Sequence, residues 1–387
     1  MNVPRDKLEI TILALHLHYG GVEKYLSSLC QMLHQDYSLH IIATYRIAKQ
    51  PAFEFASDVR ITYLIDGGPN HKALQKAFQN FHIFQIGKEL GKSIRILCLR
   101  KYRNIQAVRK IRSQYIVTTR PFHSRLVGRY APKYCIKIAT EHNDLRNQRR
   151  YNRRLIASLK GFDYLVTVSE SLRDFYQTKI GPTKCIYIPN VINTLPPFYP
   201  LTQGTQLVSV GRLEKEKGFE TLMEVVALVK KKLPSISLYL IGDGSQKESL
   251  QKQIYDLGLA GNVILTGFLS SCQIAEYLKR SQLFVMTSYS ESFGLVLIEA
   301  MSYHVPCIAF DLADGAKTLL QGNQGVLIEK RDRQAMADKI VEILNDEKYR
   351  RTLAENSYLY CQRYLACHVA KEWQSFLKTA CKEGYQK

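Results

Sequence analysis

Apolar residues fall in short dense runs separated by longer amphipathic stretches, and the two alternate along the whole chain. Runs rich in Val, Ile, Leu and Tyr predict strands, and stretches with apolar positions three and four apart predict helices. The first run, Leu8–Leu17, predicts a strand; Tyr19-Gly20-Gly21 predicts a turn that opens a helix to about His34. Strands are expected over Ser38–Thr44 and Val59–Leu64, then a mostly helical stretch over 71–113 and a strand over Tyr115–Thr118. Tyr134–Ala139 and Tyr164–Val168 predict further strands, with Ser169 placed to cap the following helix, and Lys184–Ile188 closes this half. Pro189-Asn190-Val191-Ile192-Asn193 then runs into Thr194-Leu195-Pro196-Pro197-Phe198-Tyr199-Pro200, the densest proline cluster, which reads as a linker. The alternation restarts at Gln206–Val210, with a helix from about Lys217 and strands over Ser237–Ile241, Asn262–Leu265, Leu283–Met286 and Pro306–Ala309. Residues 332–344 and 348–380 predict helices. Strand and helix in strict alternation imply parallel sheets wrapped by helices. The expected fold class is α/β, with two doubly wound domains facing each other across a cleft. The expected boundaries are a first domain over 1–193, a linker over 194–203, a second domain over 204–360, and a terminal helical segment over 361–387 packing back on the first.

Length agrees with two domains rather than one, since 387 residues exceed the usual size of a single domain. The chain is 46% hydrophobic and 23% charged, which excludes wholesale disorder. Its net charge of +20 is unevenly spread: residues 1–200 carry 31 basic and 13 acidic side chains, and residues 201–387 carry 23 and 21. The two halves therefore present different surfaces. The nine cysteines are odd in number and form no Cys-x-x-Cys pair, so reduced thiols are expected rather than a disulfide frame or a zinc site. The run at Leu8–Leu17 contains Glu9, Thr11 and His16 and does not read as a secretory signal. With no run of about 20 apolar residues, the chain is expected to be soluble or to rest on a membrane rather than cross one.

Four segments carry candidate chemistry. Gly20-Gly21 joins the first strand to the first helix, where glycine lets backbone approach a ligand and free N–H groups face an anion. A turn required only for packing explains the pair equally well. Gly211-Arg212-Leu213-Glu214-Lys215-Glu216-Lys217-Gly218 follows a strand and opens a helix. Arg212 and Lys217 suit a diphosphate, one as a bidentate fork and one as a point charge; the alternating glutamates equally suit a solvated charge run. Ser288–Ala300 places Glu291 and Glu299 eight residues apart, with Phe293-Gly294-Leu295 between them at a helix start. Free N–H groups there can hold a phosphate or sugar oxygen, and carboxylates accept sugar hydroxyls. The plainer reading is a glutamate complementing a helix dipole and another on a helix surface. Finally, Thr140-Glu141-His142-Asn143-Asp144 lies at the carboxyl end of a strand, where open α/β sheets bind ligands.

The ordered set of these segments resembles the family-four retaining glycosyltransferases, which have the GT-B fold of two facing Rossmann-like domains. The resemblance spans essentially the whole chain: Gly20-Gly21-Val22-Glu23, His142, Val168-Ser169, Pro189-Asn190, Gly211-Arg212-Leu213 with Lys217-Gly218, Gly242-Asp243-Gly244, Gly267-Phe268, then Glu291 and Glu299. The resemblance implies that Arg212 and Lys217 bind the diphosphate of a nucleotide sugar and that Glu299 holds the ribose. It implies that Glu291 and the backbone of Phe293, Gly294 and Leu295 hold the transferred sugar and distal phosphate. Gly242 and Phe268 would lie on the donor, Gly20 and Gly21 beside its phosphates, and His142 against the sugar. His142 and Glu291 are the catalytic assignments. Transfer with retention, assisted by the leaving diphosphate, requires no covalent nucleophile. No Asp-x-Asp occurs, so no cofactor and no divalent metal are expected. Two departures affect the donor: Val191 and Asn193 stand where the family often has Gly and Asp, and Phe310–Thr318 lacks its usual Gly-Gly and Glu.

Residues 101–154 carry 15 Lys or Arg against Glu141 and Asp144. Such density suits an anionic membrane surface, and Phe78–Arg112 is the candidate docking stretch. No nucleic-acid motif accompanies it, and no nucleic-acid partner is expected. The resulting expectation is a cytoplasmic transferase, peripheral at the inner face of the plasma membrane. It would move a sugar, from a UDP-sugar by preference, to a lipid-linked or cell-surface glycan precursor such as capsular or exopolysaccharide. The alternatives are a sugar-nucleotide epimerase or glycan phosphorylase on the same fold, or a non-catalytic nucleic-acid- or glycan-binding protein.

Overall fold

Two parallel sheets organise the chain. The computed structural model describes residues 7–69, 76, 78, 83–143, 148–193, 195–197 and 204–384. It divides into two units, residues 1–188 with 370–387 and residues 189–369. The first unit runs β1 (Glu9–Ala14), α1 (Gly21–Leu33), β2 (Ser38–Arg46), β3 (Arg60–Asp66), α2 (Ile83–Arg109), β4 (Tyr115–Thr118), α3 (Pro121–Tyr130), β5 (Ile136–Glu141), α4 (Arg149–Ser158), β6 (Tyr164–Thr167), α5 (Glu170–Gln177) and β7 (Lys184–Tyr187). The second runs β8 (Gln206–Val210), α6 (Phe219–Lys232), β9 (Ser237–Ile241), α7 (Lys247–Asp256), β10 (Val263–Gly267), α8 (Ser271–Arg280), β11 (Leu283–Met286), α9 (Leu295–Ser302), β12 (Cys307–Phe310), α10 (Asp314–Leu320), β13 (Val326–Ile328), α11 (Arg333–Asn345) and α12 (Glu347–Cys361). A last helix, α13 (Ala366–Gly384), starts in the second unit and belongs to the first from residue 370.

The first sheet is ordered β3-β2-β1-β4-β5-β6-β7 and the second β10-β9-β8-β11-β12-β13. Both are doubly wound: the chain fills one side of its first strand, then crosses to the other. The switch points lie between β1 and β4 and between β8 and β11. The loops leaving the strand ends there diverge, and open α/β sheets bind their ligands in that gap. Helices on both faces bury the central strands fully, so β4, β5, β6, β11 and β12 read as unbroken buried runs. Helix α1 shows the complementary pattern, burying Val22, Tyr25, Leu26, Leu29 and Leu33 at helical spacing. Ser169 caps α5 by accepting a hydrogen bond from the Leu172 N–H. Helix α13 is fastened to the first unit by Trp373, 1% exposed, and by the Tyr115 hydroxyl donating to the Leu377 carbonyl at 2.9 Å.

Two elements differ from the sequence expectation. The single helix expected over 348–380 is two, α12 and α13, separated by an extended residue at Leu365. The cause is a backbone pairing: the Ile192 N–H donates to the Tyr364 carbonyl at 2.9 Å and the Ala366 N–H donates to the Ile192 carbonyl at 3.0 Å. A distant segment thus offers partners that a continuous helix would have to supply internally. The second difference is β13, three residues long and paired with β12; so short a run has no period of its own. Residues 71–82 of the expected helical stretch, other than 76 and 78, lie outside the described residues, as do Asp144, Arg146 and residues 194 and 198–203 of the expected linker.

A buried polar network ties β2, α2 and α3 together. The Thr44 hydroxyl meets Nε2 of His123 at 2.9 Å and donates to Oδ1 of Asn104 at 3.1 Å. All three side chains are fully buried. Burial, with the Arg100 and Arg120 guanidiniums nearby, pushes the His123 imidazole down to about 3. An unfolded histidine titrates near 6.5, so between the two values the unfolded chain binds the extra proton. The stability this group contributes is complete above about pH 6.5 and is lost progressively as pH falls toward 3. Acidification to about pH 5 is expected to cost about 2 kcal/mol through this residue alone. Unfolding free energies measured across this range should show at least that slope, to which His142, pushed down to about 3, and His40, pushed down to about 4, add; His123→Gln should reduce it by the share of this residue, and an unchanged slope in the variant would refute the assignment.

Candidate functional site

In the first unit the site residues gather at the carboxyl ends of β1 and β5. Helix α1 opens at Gly21 after Gly20 in extended conformation. A Cβ on Gly20 would lie 2.1 Å from Oε2 of Glu23, whose carboxylate folds back over the turn. Gly21 is different: nothing lies within 4 Å of a Cβ there, so the space before the first helical turn is open. Glu23 is 4% exposed and faces Nδ1 of His16 at 3.5 Å. Burial raises the Glu23 carboxyl above its usual range; burial and Arg120 hold His16 below its own.

His142 follows β5. Its Nε2 meets the Thr140 hydroxyl at 2.9 Å, and its ring packs on Tyr25 of α1 with centroids 4.1 Å apart. The structure therefore brings His142 against the helix that Gly20-Gly21 opens. Burial, reinforced by Arg120, pushes the imidazole down to about 3, so the ring is neutral near pH 7. Its loop is held by Glu141, 2% exposed, which accepts from the His142 N–H at 3.0 Å, the Asn143 N–H at 2.8 Å and the Tyr151 hydroxyl at 2.5 Å. Glu141 was not among the residues assigned from sequence; a carboxylate at the last position of a buried strand was the available signal.

In the second unit the site is set by a close approach of backbones. The loop after β8 makes a 3-10 turn at Lys215–Lys217 and reaches Gly218 in the left-handed region, φ 65°. A Cβ there would stand 2.3 Å from the Thr287 carbonyl oxygen, so glycine lets this loop pass against the end of β11. Two bonds close the gap: the Tyr289 N–H donates to the Glu216 carbonyl at 2.8 Å, and the Thr287 hydroxyl donates to the Lys217 carbonyl at 3.2 Å. This delivers Lys217 Nζ to Oε2 of Glu291 at 2.5 Å, with the side chains 17% and 19% exposed. Arg212 is not brought to this pair. Its guanidinium is 73% exposed and bonds Glu216 at 2.6 Å.

The glycines of the neighbouring strand ends stack backbone on backbone. A Cβ on Gly242 would fall 1.8 Å from the Gly211 carbonyl oxygen, and the Gly242 N–H donates to the Gly267 carbonyl at 2.9 Å. Phe268 follows this bridge and is 56% exposed. Phe293, by contrast, is 3% exposed and meets Tyr364 edge to face at 5.2 Å, so only its backbone is available to a ligand. Gly294 takes φ 91° and caps α9, which begins at Leu295. The Leu297 N–H bonds the Gly294 carbonyl at 2.9 Å; the N–H groups ahead of it, as in any first helical turn, lack an i−4 partner and can receive an anion. Glu299 is half-buried within α9.

Arg331 is the residue that sequence reasoning missed. Lys330 and Arg331 both take φ 53°, an uncommon conformation for side-chain-bearing residues. The turn aims the Arg331 guanidinium between the end of β11 and the first turn of α6: it donates to the Thr287 carbonyl and to the Thr221 hydroxyl, each at 2.9 Å. It also stacks 3.8 Å over the Tyr289 ring. Nothing in the local sequence marks this, because the turn is set by distant partners.

Comparison with known proteins bears on both units. The family described as glycosyl transferases group 1 matches residues 198–360, and the family described as glycosyltransferase family 4 matches residues 19–194. An exopolysaccharide phosphotransferase of Streptomyces coelicolor is 26% identical over 368 residues, covering 92% of this chain and 39% of that protein. A poly(ribitol-phosphate) alpha-N-acetylglucosaminyltransferase of Staphylococcus aureus is 36% identical over 139 residues, 36% of this chain and 28% of that protein. The chain thus spans less than half the length of either relative. Among solved structures, a point mutant of S. aureus TarM, in complex with fondaparinux, alpha-GlcNAc-glycerol and UDP, superposes with a TM-score of 0.77 at 14% identity. That match covers 95% of this chain and 99% of that one. The pneumococcal O-GlcNAc transferase GtfA, in complex with UDP and GlcNAc, gives 0.76 at 15% identity over 97% and 99%.

Removing the Arg331 guanidinium should loosen the loop after β11 and its contact with the start of α6. Arg331→Ala is expected to cost about 2–3 kcal/mol, the scale of a charged hydrogen-bonding group lost from a half-buried site. Hydrogen exchange should show weaker protection at Thr287–Glu291 and Lys217, with the first unit unaffected. Unchanged protection in those loops would show that Arg331 does not hold them.

Proposed function

Because the chain belongs to the group 1 glycosyltransferases of GT-B fold, we propose that it is a metal-independent retaining transferase. It takes a sugar from a UDP-sugar and extends a lipid-linked or cell-surface glycan precursor of the capsular or exopolysaccharide kind. The observation that carries this reading is Lys217 held beside Glu291 at the second sheet's switch point, near the N-terminus of α9. A cation, a carboxylate and free N–H groups together fit a sugar diphosphate: cation and N–H groups for phosphate, carboxylate for sugar hydroxyls.

In this reading Lys217 and Arg212 hold the diphosphate. Arg212 is tied only by an exposed pair, worth at most about 1 kcal/mol, so it can turn to an arriving anion at little cost. Glu299 takes the ribose hydroxyls, and Phe268, exposed beside Gly267, and Gly242 lie against the nucleoside. Glu291 and the backbone of Phe293, Gly294 and Leu295 take the sugar and distal phosphate. Taken by itself, the first unit offers neutral His142 as a hydrogen-bond partner for a sugar hydroxyl and, at Gly21, open backbone that an oxyanion can approach, whereas the Glu23 carboxylate closes over Gly20. As the bond from the anomeric carbon to the diphosphate breaks, the acceptor oxygen bonds to that carbon on the same face. The acceptor proton passes to the departing diphosphate oxygen. Charge grows on that diphosphate, and fixed cations stabilise it there, which is the role a metal would otherwise fill.

UDP in the TarM and GtfA complexes supports uridine as the base, and the names of the curated relatives support an envelope polymer as acceptor. The reading puts the protein at the inner face of the plasma membrane. Among the described residues no helix is long and apolar enough to cross a membrane. Helix α2 exposes Phe84, Leu90, Ile94 and Leu97 among Lys88, Lys92 and Arg95, a surface suited to anionic lipid.

Nucleotide binding tests the donor site directly. UDP and UDP-sugars are expected to raise the melting temperature, by about 2.7 kcal/mol of added stability at one hundred times the dissociation constant. GDP and ADP should not, EDTA should change nothing, and Lys217→Ala should abolish the shift. No shift with any nucleotide on folded protein would overturn the transferase reading; a shift abolished by EDTA would overturn metal independence. The anomeric configuration of the product, read by NMR, decides retention.

A further inference from the structure

A cavity of about 740 Å³ opens in the first unit between the sheet and the last turns of α2. It lies at the amino ends of the strands, the opposite end from Gly20 and His142. Strand β1 is six residues long, so the two ends are separated by about 20 Å. The floor comes from one face of three adjacent strands: Glu9 and Thr11 of β1, His40 and Ile42 of β2, Arg60 and Thr62 of β3. Register sets them side by side, with His40 opposite both Thr11 and Arg60, and Ile42 opposite Thr62.

That floor breaks the rule its own sheet follows. A parallel sheet covered by helices is apolar on both faces, yet here one face carries Glu9, Thr11, His40, Arg60 and Thr62, with Thr11 buried, Glu9 and His40 half-buried, and Arg60 and Thr62 exposed on the edge strand β3. The polar groups are organised rather than scattered. Arg60 bonds Oε1 of Glu9 at 2.6 Å and Nδ1 of His40 at 3.2 Å, and Nε2 of His40 meets the Thr62 hydroxyl at 2.9 Å. Arg103 donates to the Leu64 carbonyl. Above the floor the walls are apolar, from Tyr63, Leu64, Tyr102, Ala107 and Ile111.

The rim is cationic. Arg60, Arg103, Lys110 and Arg112 line the cavity against one acid, Glu9. Among the described residues the side chains of Lys110 and Arg112 have neither ion pair nor hydrogen bond. Low-dielectric walls focus the field of such a rim into the hollow. The volume is that of a small-molecule site. An anion alone would leave the apolar walls wet, and an apolar molecule alone would leave the cations unused.

We propose that this cavity is a second ligand site, distinct from the transfer site, for an anion that carries an apolar body. The anionic group, a phosphate or its like, sits at Lys110 and Arg112. The apolar body lies between Tyr102, Ala107 and Ile111 above and Ile42 below, and hydroxyls near the head meet Thr62 and His40. The chemistry is shared by a free amphiphilic phosphate and by an anionic phospholipid.

Hexyl phosphate, inorganic phosphate and hexanol are the probes, titrated by calorimetry into the full chain. Hexyl phosphate should bind about tenfold or more tightly than either half-molecule, because both walls and rim contribute. Lys110→Glu with Arg112→Glu reverses the rim on the surface, and Ala107→Trp fills the cavity without touching charge. Each should weaken hexyl phosphate about tenfold or more while UDP still raises the melting temperature as in the parent. Vesicles of phosphatidylcholine with and without phosphatidylglycerol separate the two sources. Vesicle binding weakened by both variants assigns the site to lipid; vesicle binding left intact while hexyl phosphate binding falls assigns it to a soluble molecule. The proposal is overturned if hexyl phosphate binds no better than inorganic phosphate, or if the charge-reversed and filled variants bind it like the parent.

Discussion

The second unit depends on one close approach: the backbone at Gly218 passing against the carbonyl of Thr287. A side chain at 218 would collide with that oxygen, and without the contact Lys217 and Glu291 would sit on separate loops. Around it the structure adds a main-chain bond from Tyr289 to Glu216, a hydroxyl bond from Thr287 to Lys217, and the Arg331 guanidinium joining Thr287 to Thr221 in the first turn of α6. The strained turn at Lys330 and Arg331 is tolerated because those bonds over-determine it. The Lys217–Glu291 geometry is thus a product of backbone packing more than of mutual attraction, and side chains so placed are held before any ligand arrives.

The first unit solves a different problem. Its surface carries most of the chain's positive charge, yet the histidines at the carboxyl ends of β1 and β5 are held below their ordinary titration range. Burial and Arg120 keep His142 and His16 unprotonated, and burial raises Glu23 and Glu141. A neutral imidazole fixed on Tyr25 and Thr140 can direct a hydrogen bond without adding a cation. Other basic residues lie along α2 and around the cavity at the amino ends of the strands. One sheet thus carries buried hydrogen-bonding groups at one end and a cationic cavity rim at the other.

Much of the architecture was legible in the chain. Unbroken apolar runs such as Tyr115–Thr118 and Leu283–Met286 read as strands because a sheet covered on both faces has no polar side to interrupt them. Ser169 announced its helix, since capping chemistry is local. The break at Leu365 and the strand at Val326–Ile328 were not legible, because each exists to satisfy a partner distant in sequence, Ile192 in one case and β12 in the other.

The same boundary runs through the site. Sequence alone determined the element order, the two parallel sheets and the strand ends on which Gly20, His142, Lys217 and Glu291 fall, because period and turn chemistry act over a few residues. Only the tertiary structure decided which of these residues meet. It joined Lys217 to Glu291 and left Arg212 on Glu216, turned Phe293 into the core and brought Arg331 to Thr287 and the start of α6. Those outcomes depend on contacts between segments tens of residues apart, settled by how sheets, helices and glycine turns pack, and no local pattern encodes them.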